Sequence, residues 1–234
     1  MSDNILSYDL DGDVAVLSLD DGKANAINPA TVTALDEALT RAEGEAGALL
    51  LTGREGKLSA GFDLSVMTSG EEAMQSLVRS GAELLVRWYA SPLPTVAACT
   101  GHALAAGALI LLVGDIRVGA AGDFKIGLNE VAIGMQLPVF AVELARDRLT
   151  PSQFTAATMG ARIYSPDEAT AAGYLDLVVA PDELLPTATA EAARLAELRT
   201  GAYTETKLRA RATTVDFARS TLHEDMAHME VPQP

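Results

Sequence analysis

Apolar positions along the first half of this chain follow two alternating rhythms, one strand-like and one helical. Val14–Leu19 (V-A-V-L-S-L) reads as a strand after the turn Asp11-Gly12-Asp13. Asn28 then stands as a helix N-cap with Pro29 at the first helical position, and Val32, Leu35, Leu39 and Ala42 follow at helical spacing. Ala48–Thr52 is apolar without alternation, which predicts a short strand buried on both faces. A loop around Ser59–Asp63 leads to a second helix whose inner face carries Met74, Leu77, Val78, Leu84, Leu85 and Trp88. Thr95–Cys99 is the next strand, about Ala106 to Val113 a buried helix, and Ile116–Gly119 a further strand. Strand–helix units of this length predict parallel strands joined by right-handed crossovers.

The remainder is helical. Pro138–Leu149, Pro151–Met159, Pro166–Ala172 and Leu184–Leu198 read as helices, with a turn at Ala172-Gly173-Tyr174. A last helix from about Thr204 places Leu208, Ala212, Val215 and Leu222 on one face. The pattern predicts an α/β core over residues 1–200 and a helical C-terminal arm over 201–234, within one domain.

Composition narrows the picture. The 234 residues are 49% hydrophobic, a globular balance with enough length for a substantial core. A formal net charge of −15 argues against nonspecific binding to nucleic acid or anionic membranes, but not against a phosphate held by a few local cations. The N-terminal M-S-D-N-I has no signal-peptide pattern, and the apolar run Ala103–Val113 is too short to span a bilayer, so a cytoplasmic protein is expected. The single cysteine, Cys99, lies in an apolar strand and reads as a buried, inert thiol. His102, after a turn glycine, reads as a packed or capping histidine.

Three segments carry candidate chemistry. F-K-I-G-L-N-E-V-A-I-G (124–134) sets one carboxylate, Glu130, in an apolar stretch, where desolvation would raise its pKa towards the range useful for proton transfer. L-S-A-G-F-D-L (58–64) and T-G-H-A-L-A-A-G (100–107) are small-residue turns able to aim backbone N–H groups at a carbonyl oxygen. Ala106 opens the buried helix, where unpaired N–H groups and the helix dipole attract developing negative charge.

In order and spacing these segments resemble the crotonase superfamily, or enoyl-CoA hydratase/isomerase family. Thr52-Gly53, Gly114-Asp115 and M-G-A-R-I-Y-S-P-D-E-A-T-A-A-G-Y-L-D-L-V-V (159–179) extend the resemblance over about residues 5 to 185, while the last 45 residues match poorly. It implies a ββα spiral core with a helical arm. It also implies that the N–H groups of Phe62 and Ala106 form an oxyanion hole and that Glu130 is the retained catalytic glutamate. I-G-L-N-E and L-S-A-G-F-D-L are particularly similar to Δ3,Δ2-enoyl-CoA isomerases, which use a single glutamate. Where the family's hydratases carry a second glutamate, this chain has Leu109.

The resemblance places CoA contacts at Lys23, Ala24 and Ala26, with Ala60, Phe62, Asp63, Leu64, Ala106 and Leu109 along the substrate path. Lys23 reads equally as a solvated lysine or a phosphate contact, and Asp63 as a structural carboxylate rather than a base. No metal or redox cofactor is implied; coenzyme A is part of the substrate. The family's habit of burying the arm between subunits implies a homotrimer or hexamer.

Two weaker motifs fail on spacing. G-R-E-G-K-L-S (53–59) has two residues rather than four between its glycines, so it is not a phosphate-binding P-loop. H-E-D-M-A-H (223–228) puts its histidines five apart, not on the shared face of an H-E-x-x-H zinc helix. Three functions therefore compete: double-bond isomerisation of an enoyl-CoA, hydration of a 2-enoyl-CoA, and acyl-CoA binding with little turnover. Rates on 3-enoyl- and 2-enoyl-CoA separate the first two; binding without turnover selects the third.

Overall fold

The computed structural model describes residues 5–198 and 201–227. A hairpin opens the chain, β1 (Leu6–Asp11) pairing antiparallel with β2 (Val14–Leu19). Then follow β3 (Ala26–Ile27), α1 (Pro29–Glu45), β4 (Ala48–Gly53), β5 (Gly56–Ser59) and β6 (Gly61–Phe62). Two helices come next, α2 (Leu64–Met67) and α3 (Glu71–Tyr89), before β7 (Thr95–Cys99), β8 (Gly101–Leu104), α4 (Ala106–Val113), β9 (Ile116–Ala120) and β10 (Ile126–Gly127). The rest is α5 (Val139–Arg148), α6 (Pro151–Thr158), α7 (Pro166–Ala172), β11 (Leu177–Val179), α8 (Leu184–Ala196) and α9 (Gly201–Ala227).

The main sheet runs β1-β2-β4-β7-β9-β11 and is parallel from β2 onward, as the strand–helix rhythm predicts. A second, parallel sheet has the order β10-β8-β5, and β3 pairs with β6. This is the α/β ββα spiral of the crotonase fold. The short strands fall where the sequence reads as turns and loops, because ladders of two to four residues leave no periodicity to detect.

The unbroken apolar run of β4 has a direct structural cause. Leu49 and Leu51 pack into the main core, while Ala48 and Leu50 face Ala188, Ala192 and Leu195 of α8 on the other side. The first helix starts as the sequence predicts: Asn28 accepts a hydrogen bond from the Thr31 N–H at 3.0 Å, and Pro29 occupies the first turn.

The C-terminal arm differs from its sequence reading. Helix α9 lies on α3 and α5, yet Leu208 is 40% exposed and Ala212 also faces outward. Val215 is buried as expected and Leu222 packs against the core, but the rest of the buried face is Lys207, Arg211 and Ala218. Asp115 sets this rotation: Lys207 Nζ lies 2.9 Å from its Oδ2 and an Arg211 guanidinium nitrogen 2.7 Å from its Oδ1. Lysine and arginine bury long aliphatic stems when their charges are paired, which a purely apolar stripe overlooks. Of the rejected zinc pattern, His223 is exposed on α9 and His228 lies outside the described residues.

Candidate active site

The two small-residue turns meet. Gly61 has φ +92°, and a Cβ built on it would stand 3.1 Å from the Ala106 amide nitrogen and 2.9 Å from the Leu104 carbonyl. Only glycine gives both this backbone angle and this approach. The backbone around Phe62 is tied down: the Ala60 N–H donates to Ala24 O at 3.0 Å, Gly61 N–H to Ser59 Oγ at 3.1 Å, and Asp63 N–H to Ile27 O at 2.9 Å.

Ala105 caps α4 in a conformation rarely taken by a residue with a side chain, φ 49° and ψ −125°. It is held there from both sides. Its N–H donates to Gly127 O at 3.0 Å, and its carbonyl accepts from the Ala108 and Leu109 N–H groups. Ala106 is therefore the first residue of a buried eight-residue helix, and its N–H precedes the first intrahelical bond.

The third segment brings in the acid. Strand β10 pairs with β8, so Gly127 lies beside Leu104 and the chain then runs through Leu128 and Asn129 to Glu130. Glu130 is 8% exposed, and its Oε2 is buried without a hydrogen-bond partner. Burial pushes its carboxyl up to about 7, opposed only in part by its own backbone N–H. It lines a narrow cavity with Phe62, Met67, Val78, Leu109, Met135 and Phe140. Leu109, 2% exposed, thus shares a cavity with the acid.

The remaining predicted site residues occupy one edge. The loop before β3 is shaped by Asp21, whose carboxylate accepts from the N–H groups of Lys23, Asn25 and Ala26 at 2.7, 2.8 and 3.1 Å. Ala26 then pairs with Gly61, and Ala24 with the Ala60 N–H, so this loop is bound directly to the first turn. Lys23 is exposed, with Arg54 and Lys57 both reaching its carbonyl oxygen. Asp63 is structural: it caps α2, accepting from Ser65 N and Oγ at 2.8 and 2.6 Å. Leu64 is 63% exposed at the start of that helix.

His102 packs edge-on against Phe124 and accepts from the Lys125 N–H at 3.0 Å. Cys99 is buried and its thiol is pushed up to about 12, consistent with an inert packing residue. Glu143, an acid on the following helix α5, pairs with Arg146 at 3.2 Å and does not line the Glu130 cavity.

Sequence reasoning missed several cavity walls, Met67, Met135 and Phe140, whose positions depend on where loops return. It also passed over Asn25. This residue is fully buried with φ +51°, and its Nδ2 donates to Leu19 O and Leu58 O at 2.8 and 3.1 Å, joining the loop to two strands. Asparagine in K-A-N-A was the available signal, since it tolerates the left-handed region better than other residues with side chains.

The family model for enoyl-CoA hydratase/isomerase matches residues 9–231. The chain belongs to the enoyl-CoA hydratase/isomerase family. The match continues through the arm, past the point near residue 185 where the motif resemblance fades. An enoyl-CoA hydratase/isomerase family protein from Pseudomonas syringae is 44% identical with a TM-score of 0.95, covering 97% of this chain and 99% of that one.

A Mycobacterium tuberculosis enoyl-CoA isomerase is 40% identical with a TM-score of 0.92, covering 97% of this chain and 100% of that chain. In a second structure the same protein is called a probable enoyl-CoA hydratase, at 41% identity, a TM-score of 0.92 and coverages of 96% and 95%. A probable enoyl-CoA hydratase of Bacillus subtilis is 34% identical over 142 residues, 59% of this chain and 54% of the relative. The chain thus spans about half the length of that relative in the match. The family's relatives carry both names, so membership leaves hydration and isomerisation to be separated by chemistry.

Proposed function

We propose that this chain moves the double bond of an enoyl-CoA thioester, with Glu130 as the single acid–base. One observation carries the reading: among the described residues lining the cavity of Glu130, no second titratable side chain is present, and Leu109 shares that cavity.

In a 3-enoyl-CoA, the Glu130 carboxylate takes the C2 proton, and the electron pair delocalises into a dienolate with its charge on the thioester oxygen. The Phe62 and Ala106 N–H groups hold that oxygen; one such donor typically contributes about 3–4 kcal/mol. The amino end of α4 adds its dipole. Glu130 then returns the proton at C4 as the carbonyl re-forms and the remaining double bond lies between C2 and C3. A carboxyl near neutrality suits both halves of this cycle. The reaction as written needs no metal or redox cofactor.

The CoA moiety runs along Lys23, Ala24 and Ala26 and then past Ala60, Asp63 and Leu64. The exposed Lys23, with Arg54 and Lys57 nearby, supplies positive charge at that edge of a strongly acidic chain. The assembly we propose is a homotrimer or a pair of trimers built through the arm, where Leu208 and Phe217, 40% and 48% exposed, offer apolar contacts.

Hydration of a 2-enoyl-CoA is the second reading, favoured by the name of the B. subtilis relative. It requires a water to be oriented while a proton is delivered to C2. Initial rates on 3-enoyl- and 2-enoyl-CoA, measured side by side over several chain lengths, test the proposal. Faster hydration would overturn it.

A further inference from the structure

Ser59 stands where three segments meet. It ends β5, is fully buried, and its hydroxyl bonds in both directions. Ser59 Oγ donates to the Asn25 carbonyl at 2.7 Å and accepts from the Gly61 N–H at 3.1 Å. The first bond ties it to the loop before β3. The second holds the residue immediately before Phe62. A hydroxyl can give and take a hydrogen bond at once, which an alanine filling the same space cannot do.

The third segment is the start of α4. A Cβ on Gly107 would stand 2.2 Å from Ser59 O and 3.0 Å from Ser59 Cβ, so the backbones of β5 and α4 touch here. Two positions on, Gly61 makes an equally close approach to Leu104 O and the Ala106 nitrogen. The first turn thus abuts α4 on either side of Ala60. The gap between the Phe62 and Ala106 N–H groups depends on the shape the turn holds across those two contacts, and the Ser59 hydroxyl spans it.

Asn25 supports the serine with a bond of its own. Its Nδ2 donates to Leu58 O at 3.1 Å, so the loop and the end of β5 are joined twice. Neither Asn25 nor Ser59 is exposed, and water does not compete for these bonds.

We propose that Ser59 is a positioning residue for the oxyanion site: its hydroxyl sets the turn that aims the Phe62 N–H at the thioester oxygen. The inference rests on the acyl-CoA reading above, in which Phe62 and Ala106 supply the two donors. Ser59 is buried and acts on the reacting atoms only through Gly61 and Phe62. A donor stabilises an oxyanion over a narrow range of distance and direction and weakens steeply outside it. Ser59→Ala keeps the packing of the turn but releases the Gly61 N–H from this partner, which lets the turn rotate.

The carbonyl stretch of a bound thioester reads the donors directly, because a hydrogen bond to the oxygen weakens the C=O bond and lowers its frequency. Isotope-edited infrared difference spectra use hexanoyl-CoA with a heavy-carbon label at the thioester carbonyl, a saturated chain with no double bond to move. The wild-type protein should lower that frequency relative to the free thioester. Ser59→Ala should lose about half of the shift or more and keep hexanoyl-CoA affinity within about twofold. It should lower kcat on 3-enoyl-CoA by about tenfold, short of the 10²–10³-fold typical when a donor is removed outright. Ser59→Cys serves if Ser59→Ala does not fold, since its weaker thiol hydrogen bonds should keep only part of the shift.

An unchanged shift in the folded variant would overturn the positioning role and leave the acyl-CoA reading standing. Loss of affinity together with the shift would make Ser59 a residue of the fold alone, and would also overturn it. Wild-type protein that binds hexanoyl-CoA without shifting its carbonyl, or does not bind it, would overturn that reading and the inference with it.

Discussion

Lys207 and Asp115 stand 92 positions apart in sequence and form an ion pair of 2.9 Å, with side chains 5% and 10% exposed. The arm is thereby fastened at the carboxyl end of α4, opposite the end that Ala106 opens. Arg211 holds the other Asp115 oxygen, the Tyr203 hydroxyl donates to Oδ2 at 2.8 Å, and Arg148 reaches the carbonyls of Leu112 and Gly114 at 3.1 and 2.8 Å.

Burial alone would raise the Asp115 carboxyl, but Lys207, Arg211 and the Thr95 N–H outweigh it and hold it below the usual carboxylate range. A depressed folded pKa gives stability that is present above the unfolded value and lost as pH falls through the folded one. Asp115→Asn should cost about 3–5 kcal/mol at pH 7, because it leaves two buried cations without their counter-charge. Its stability should also depend less on acid pH than the wild type's. Urea unfolding of both proteins at pH 7 and pH 4 measures this; a loss under about 1 kcal/mol at pH 7, the range of exposed pairs, would refute it.

At the turn proposed to hold the oxyanion, Gly61→Ala should be far more damaging than its size suggests. The added methyl would meet Leu104 O, Ala105 Cβ and the Ala106 nitrogen at 2.9, 2.8 and 3.1 Å, on a backbone at φ +92°. Displacing one oxyanion donor typically lowers kcat by 10²–10³-fold. The expected signature is that loss in kcat with acyl-CoA still bound, read by steady-state kinetics and calorimetry on one preparation.

Glu130→Gln preserves size but removes the proposed proton carrier. Turnover should fall by 10²–10⁴-fold, the usual contribution of a general acid–base, while acyl-CoA affinity changes little. More than about a tenth of the wild-type rate remaining would take Glu130 out of the mechanism.

The pH dependence follows from the same burial. With the carboxyl raised to about 7 in the free protein, kcat/KM should rise with pH through a midpoint near neutrality and level off above it. The stability effect has the opposite sign to that of Asp115. A raised acid stabilises the fold at low pH, where it is neutral, and that contribution is lost as pH climbs from the ordinary glutamate value towards 7. Glu130→Gln should therefore gain stability relative to wild type between pH 5 and pH 8, by up to roughly 3 kcal/mol. An unchanged difference across that range would contradict the raised carboxyl.

Leu109 bears on reaction choice. It offers no hydrogen bond to a water and makes its side of the cavity drier, which favours moving a double bond over adding water. Isomerisation of 3-enoyl-CoA should outpace hydration of 2-enoyl-CoA, and Glu143→Gln, which disturbs a residue paired with Arg146, should leave the ratio unchanged. Faster hydration that persists in Glu143→Gln would sink the argument from Leu109.

Much of the fold could be read in sequence because it rests on local physics. Asn28 and Pro29 mark a helix start through their own backbone chemistry, and the unbroken Ala48–Thr52 run reflects burial on both faces of a central strand. The motifs around Phe62, Ala106 and Glu130 were equally visible, since the angles and small side chains those turns require restrict which residues can stand there.

Other features were set by distant parts of the chain. The α9 stripe of Leu208, Ala212, Val215 and Leu222 was a sound apolar pattern, but the helix turned to give Lys207 and Arg211 to Asp115, because an unpaired buried carboxylate costs more than an exposed leucine. Gly81, where a Cβ would overlap the Phe62 ring, joins a helix interior to a turn nineteen positions earlier, and either residue alone reads as unremarkable. Local sequence by itself determined the strand–helix order, the turn chemistry and the lone acid. Only tertiary structure decided which face the arm buries, how dry Glu130 becomes and what stands behind Phe62, because desolvation and steric fit depend on the atoms of every element packed against a side chain.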